Sequence, residues 1–375
     1  MELKYSIALL KFIFNIYKMS FWQQLKKEKT PFICLAPMSD VTDVAFRRMI
    51  AKYGKADVMW TEFVSADGLC SVGRKKLLHI LKYSEKERPI VAQIFGANPE
   101  KIAEAVKLVK KLKFDGVDIN MGCPDRAVVK AGAGSALIKN PKLAREIIRM
   151  AKMAAGSLPV SVKTRVGFAS RNELSKWLAE LLAEEPAAIT LHARTKKEMS
   201  EVPADWSLVK KAVEIRNKLK SKTLIIGNGD VLDLADAKKK AKESGADGVM
   251  IGRGFFGKPW LLSGWDSSYQ DVERNFSHSK SLNTKANLFL NSQEHQNRLN
   301  GENNPQDRKF IRMKLKILLE HTKLFEKLLG KEKPFNVMKK HFKAYVSGFD
   351  GAKELRIKLM ETKNAEEVEE IIKRF

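Results

Sequence analysis

Three cysteines in 375 residues, Cys34, Cys70 and Cys123, stand far apart and without CxxC spacing. Neither a disulfide framework nor a cysteine-held zinc site is therefore expected, and the usage fits a reducing cytoplasm. No apolar run is long enough to cross a bilayer; the longest, around residues 7–17, is interrupted by Lys11 and followed by no small-residue cleavage site. Met19 offers a second credible start just ahead of the first predicted strand. Acidic residues are also short, at 44 against 69 Lys plus Arg, which leaves a formal charge of +25. Solubility needs far less, so a polyanionic partner is implied, although charge alone does not choose between RNA, DNA and anionic lipid.

Apolar residues make up 44% of the chain, enough for a large core. From residue 31 to about 262 one pattern repeats: a short β-branched run, a loop, then a segment of helical period rich in Lys, Ala, Glu and Leu. The predicted strands are 32–36, 57–61, 90–95, 116–120, 160–164, 188–192, 223–227 and 248–252. Eight alternating units predict a (β/α)₈ barrel, an α/β fold of roughly 250 residues with parallel strands. Residues 1–30 form an N-terminal extension in this reading, 31–262 the barrel, 263–307 a polar linker or insertion, and 308–375 a small helical bundle with breaks at Gly330 and Gly348. Lys331, Lys333, Lys339, Lys340 and Lys343, with His341 nearby, are expected to make one face of the bundle positive.

In such a barrel the loops after the strands carry function. Polar or glycine-rich groups fall at most of those ends: Pro37-Met38-Ser39, Gln93, Asn120-Met121-Gly122-Cys123-Pro124, Lys163-Thr164-Arg165, His192-Ala193-Arg194, Asn228-Gly229-Asp230 and Gly252-Arg253-Gly254. The glycine turns after strands seven and eight suit a phosphate, with Arg253 adding a charged contact. Lys163, His192 and Gln93 can hydrogen-bond a flat heteroaromatic ring, and a lysine stabilises negative charge on a reduced flavin, so flavin mononucleotide (FMN) is one reading. A lysine Schiff base with a carbonyl substrate is the other. Cys123, between Gly122 and Pro124, sits in a turn that presents its thiol. With an ordinary pKa of about 8.5 it is mostly protonated at neutral pH and can act as a general acid. Cys34 and Cys70 read as packing residues.

The segments Ala36-Pro37-Met38-Ser39-Asp40-Val41-Thr42-Asp43, Asn120-Met121-Gly122-Cys123-Pro124, Lys163-Thr164-Arg165-Val166-Gly167, Leu191-His192-Ala193-Arg194-Thr195 and Gly227-Asn228-Gly229-Asp230 resemble the tRNA-dihydrouridine synthases. The resemblance covers the barrel from residue 31 to about 262, and the C-terminal helices resemble that family's tRNA-binding bundle by position and charge. It implies FMN held by Pro37, Met38 and Ser39, by Gln93, Lys163 and His192 around the ring, and by Asn228, Gly229, Asp230, Gly252 and Arg253 near the phosphate. Asn120 would orient the flavin or the uracil, and Arg165 and Arg194 would contact RNA or uracil. The implied reaction has NADH or NADPH reduce FMN, which gives hydride to C6 of a tRNA uridine while Cys123 protonates C5. A uracil must leave its stack to reach a buried flavin, at a cost that phosphate contacts offset. No metal, no membrane and a monomer are expected. The alternative within enzymes is a flavin barrel reducing a free pyrimidine or another small conjugated molecule.

Overall fold

The structure is a computed structural model, and it describes residues 20–28, 31–263 and 305–375. The expected linker falls largely outside the described residues, as do residues 1–19 with the Met19 start. Two compact units appear: Ala56–Gly254 with the residues up to Ala51, and Lys52–Lys55 with Phe255 onward.

The first unit is built on eight strands: β1 (Phe32–Leu35), β2 (Met59–Ser65), β3 (Ile90–Phe95), β4 (Gly116–Met121), β5 (Val160–Arg165), β6 (Ala188–His192), β7 (Leu224–Asn228) and β8 (Gly248–Ile251). All pair in parallel, in the order β1-β8-β7-β6-β5-β4-β3-β2. A parallel bridge between Cys34 and Val58 joins the two ends, with the Leu35 N–H donating to the Val58 carbonyl at 2.9 Å, and the ring closes into the expected barrel. Seven strands lie within one residue of their predicted bounds. β2 begins two residues late and runs on to Ser65, because Val58 serves the closing bridge and the register on β3 shifts between Trp60 and Phe63.

Helix starts follow local chemistry. Asn98 caps Pro99–Lys111 by accepting from the Lys101 N–H, and Asn140 caps Pro141–Ala155 in the same way at Leu143, each ahead of a proline whose missing N–H costs the first turn nothing. Helix Phe21–Glu28, placed in the extension by sequence, is part of this unit's core. Its Trp22 is 1% exposed and packs 5.8 Å from the Phe32 ring and 5.7 Å from Trp60, near the amino ends of the strands.

The second unit carries helices Pro305–Leu329, Asn336–Tyr345, Ala352–Glu361 and Ala365–Lys373, with ends at Gly330 and near Gly348 as expected. The positive face differs from expectation in two members. Lys333 is buried, and His341 points into the core, edge-on to Phe256 and His321. Helical periodicity turns position 341 onto the same side as Met338, Phe342 and Tyr345, so it follows the apolar stripe. Among the described residues no helix is long and apolar enough to cross a membrane, and no cluster of three or more His, Cys, Asp or Glu could hold a metal ion.

Candidate active site at the barrel mouth

Cys123 stands two residues beyond β4, and its loop is held by a directional chain of hydrogen bonds. Asp118 is wholly buried and, as a carboxylate, only accepts: from Ser161 Oγ at 2.6 Å and from Gln93 Nε2 at 2.7 Å. The Gln93 amide is thereby oriented, so its oxygen faces Asn120 and takes a bond from Asn120 Nδ2 at 3.0 Å. Asn120 in turn presents Oδ1 to the N–H groups of Gly122 at 3.1 Å and Cys123 at 2.9 Å. Because Asp118 and Asn120 alternate on β4, both point to one side of the sheet. From below, the Ser135 N–H donates to the Cys123 carbonyl at 3.0 Å. Gly134, at φ +59°, comes so close that a Cβ there would lie 2.9 Å from that carbonyl oxygen. Cys123 itself is half-buried, and burial pushes its thiol above the ordinary value, so it stays protonated at neutral pH.

Lys163, on β5, lies within electrostatic reach of Cys123 and Asp118. Burial, and then the neighbouring Arg165, bring its pKa down to about 8. Its ammonium has no hydrogen-bond or ion-pair partner among the described residues, yet the side chain is partly accessible. His192, at the end of β6, is held neutral by burial and by the positive charges of Lys163, Arg165, Arg194 and Arg253. Arg194 Nη1 lies 3.2 Å from His192 Nε2; a guanidinium only donates, so Nε2 accepts and the ring proton sits on Nδ1.

Arg165 and Arg194, expected at the substrate, face inward. Arg165 is 7% exposed, donating to the carbonyls of Gly122 at 2.9 Å, Thr195 at 3.0 Å and Met199 at 3.1 Å. It ties the Cys123 loop to the loop after β6. Arg194 donates to the Val202 carbonyl at 2.6 Å and pairs with Asp230. The other Asp230 oxygen takes Arg253 Nη2 at 2.5 Å, leaving the Arg253 side chain 69% exposed at the rim. Asp230 thus aims one arginine outward while anchored by a buried one; against the upward push of burial, the Ala204 N–H, donating at 2.9 Å, and then the arginines hold its carboxyl below the usual range.

Gly229, at φ +127°, lets its backbone pass His192; a Cβ there would meet Ala204 Cβ at 2.7 Å and His192 Cδ2 at 3.2 Å. Asn228 Nδ2 is spent on the Met250 carbonyl at 2.8 Å. Gly252 lies against Met38 Sδ, 3.3 Å from where a Cβ would be. Met38 is fixed by a turn in which its N–H donates to Thr42 Oγ1 at 2.9 Å; Pro37 is half-buried and Ser39 exposed. The structure therefore gathers Pro37, Met38, Ser39, Lys163, His192, Gly229, Asp230, Gly252, Arg253 and Cys123 at the carboxyl ends of the strands, while Gln93, Asn120, Arg165 and Arg194 act on other protein groups. Asp118, Ser161 and Gly134 escaped the sequence reading; the signal for the first was a polar residue at every second position of an otherwise apolar strand.

The set fits FMN: an unpartnered ammonium and a neutral imidazole suit a flat ring that gains negative charge, and an outward arginine beside glycine turns suits a phosphate.

The family model described as dihydrouridine synthase matches residues 34–374. The chain is 36% identical over 358 residues to the probable tRNA-dihydrouridine synthase 2 of Bacillus subtilis, covering 95% of this chain and 96% of that protein. Probable tRNA-dihydrouridine synthases of Staphylococcus aureus and Staphylococcus epidermidis are each 36% identical over 360 residues, covering 96% of this chain and 96% and 97% of theirs. A match of that extent, together with a closed barrel that places its polar groups at one mouth, means that the chain belongs to the dihydrouridine synthase family of FMN-dependent oxidoreductases.

Proposed function

We propose that the protein reduces a uridine of tRNA to 5,6-dihydrouridine, with Cys123 as the acid. The observation that carries this reading is the Cys123 thiol: burial keeps it protonated, Asn120 and Ser135 fix its backbone, and it lies in the field of the Lys163 ammonium, which has no hydrogen-bond partner among the described residues. Pro37, Met38 and Ser39, with Asn228, Gly229, Asp230, Gly252 and Arg253, would hold FMN, and Lys163 and His192 would face its ring. Bound there, FMN would supply the hydride that uracil C6 requires, with NADPH or NADH as the reductant. The Cys123 thiol passes its proton to C5, and the thiolate left behind recovers a proton from water. Lys163 carries positive charge beside the developing negative charge, an arrangement favoured where water is excluded. Gln93 acts as a positioning residue through Asn120, and Arg165 as one through the Gly122 carbonyl. Arg194 positions Asp230 and His192. The helices from Pro305 onward, with Lys331 and Lys343 exposed, would take the tRNA, and the protein would work as a cytoplasmic monomer.

The test is nucleoside mass analysis of tRNA incubated with purified protein, FMN and NADPH. Dihydrouridine is expected. Cys123→Ala should keep the flavin absorbance and the oxidation of NADPH while losing roughly 10²–10⁴ in tRNA turnover, the worth of a placed general acid. Undiminished turnover by that variant removes Cys123 from the chemistry. Reduction of free pyrimidines with tRNA left untouched favours the small-molecule alternative.

A further inference from the structure

We propose that Lys139, Phe168 and Lys196 form an RNA-binding bracket on the rim of the barrel mouth, which takes backbone phosphates beside the target nucleotide. The proposal rests on the reading of the substrate as tRNA. Three loops meet here. Lys139 ends the 3-10 helix Gly134–Lys139, the element that supports the Cys123 carbonyl through Ser135. Phe168 stands three residues beyond β5, and Lys196 four beyond β6. The Lys139 ammonium lies 4.7 Å from the centre of the Phe168 ring and the Lys196 ammonium 5.3 Å from it.

The placement of these groups is built rather than casual. The Lys196 N–H donates to the Gly167 carbonyl and the Lys197 N–H to the Phe168 carbonyl, both at 2.9 Å, so the two loops are locked in register. Glu173 holds the other side of the β5 loop by accepting from the N–H groups of Phe168, Ala169 and Ser170. Three carboxylates of these loops are thus consumed: Glu173 by backbone donors, Glu198 by Arg171 and the Thr195 N–H, and Asp205 by Arg171. Neither ammonium has an ion pair among the described residues. Two like charges converge on one aromatic ring with no carboxylate in ion-pair contact among the described residues, an arrangement whose mutual repulsion a polyanion relieves. A nucleic-acid backbone meets that need, and an aromatic ring between the lysines gives a sequence-tolerant stacking surface. Proximity to the Cys123 loop places the contact near the reacting base.

The test is a double variant, Lys139→Gln with Lys196→Gln, assayed for tRNA binding by filter retention across a range of KCl. Two lost phosphate contacts should weaken binding roughly tenfold near physiological salt and flatten the log–log salt slope by about 1.4–2. KM for tRNA should rise with kcat, flavin content and NADPH oxidation unchanged. A charge-matched control, Lys238→Gln with Lys239→Gln on the exposed side of helix Leu234–Ser244, should change the slope little. Phe168→Leu, which keeps both charges, should raise KM by a smaller factor. An unchanged affinity and slope in the Lys139/Lys196 variant overturns the bracket, as does an equal loss in the control. Wild-type protein that makes no dihydrouridine in tRNA instead sinks the substrate reading on which the bracket rests.

Discussion

Gly134 and Gly132 form a natural experiment on how the nucleotide-facing loop is held. Both have positive φ, +59° and +75°, so alanine at either pays about 1–2 kcal/mol of left-handed strain. Their surroundings differ. A Cβ at Gly132 meets only Ala97 Cβ at 3.5 Å, an ordinary contact. A Cβ at Gly134 would lie 2.8 Å from Val128 Cγ1, 2.9 Å from the Cys123 oxygen and 3.2 Å from Cys123 Cβ. Overpacking of that kind adds about 1–3 kcal/mol. Gly134→Ala should then cost about 3 kcal/mol and lower Tm by roughly 6–12 °C, against roughly 3–6 °C for Gly132→Ala. To restore van der Waals distance the Cys123 loop must retreat by about 0.5 Å, and since a misplacement of ~1 Å can cost ~10²-fold, turnover should fall roughly tenfold. Thermal melts and single-turnover tRNA reduction at 25 °C, where both variants stay folded, measure the two effects separately. Wild-type turnover by Gly134→Ala, or an equal loss in Gly132→Ala, would refute the idea that Gly134 sets the position of Cys123.

Two further outcomes follow from charge. Lys163 is protonated below its pKa of about 8, so kcat should fall as pH rises through that value; in Lys163→Arg, whose guanidinium keeps its proton, the alkaline fall should move to higher pH, and a kcat profile identical to wild type would dissociate Lys163 from the limb. In the helical unit, burial lowers His321 to about 3 and, with Lys340 and Lys333 nearby, His341 well below its ordinary value. The unfolded chain binds the protons these two refuse, so the stability of this unit should be full above about pH 6.5 and decline below it by about 1.4 kcal/mol per pH unit for each histidine. Urea midpoints at pH 7.5, 6 and 5 would show it, and His341→Leu should reduce the slope by about half.

The barrel was legible because each strand carries its own signal, a short β-branched run bounded by turn residues, and eight such runs alternating with helices leave few architectures. The place of Cys123 was legible too, since a residue between Gly122 and Pro124 just past an apolar run falls in the turn at a strand's carboxyl end. Trp22 was missed: a short helix set before the repeat has no periodic neighbours, and only the barrel's open amino end shows where its indole goes. The bounds of β2 were missed because ring closure recruits Val58.

The family resemblance marked Arg165 and Arg194 as contacts of RNA or uracil, yet a sequence does not record which arginine finds carbonyls to satisfy it. Buried in the fold, both must donate to Gly122, Thr195, Met199 and Val202, since an unpaired guanidinium there would be costly. The same holds for the bond chain from Ser161 through Asp118 to the Cys123 N–H, whose members come from three strands. Local propensity and residue type are properties of the chain, and they determined the barrel, the thiol and the glycine turns by themselves. Which polar groups face each other across strands depends on register and closure, and only the tertiary structure decided those.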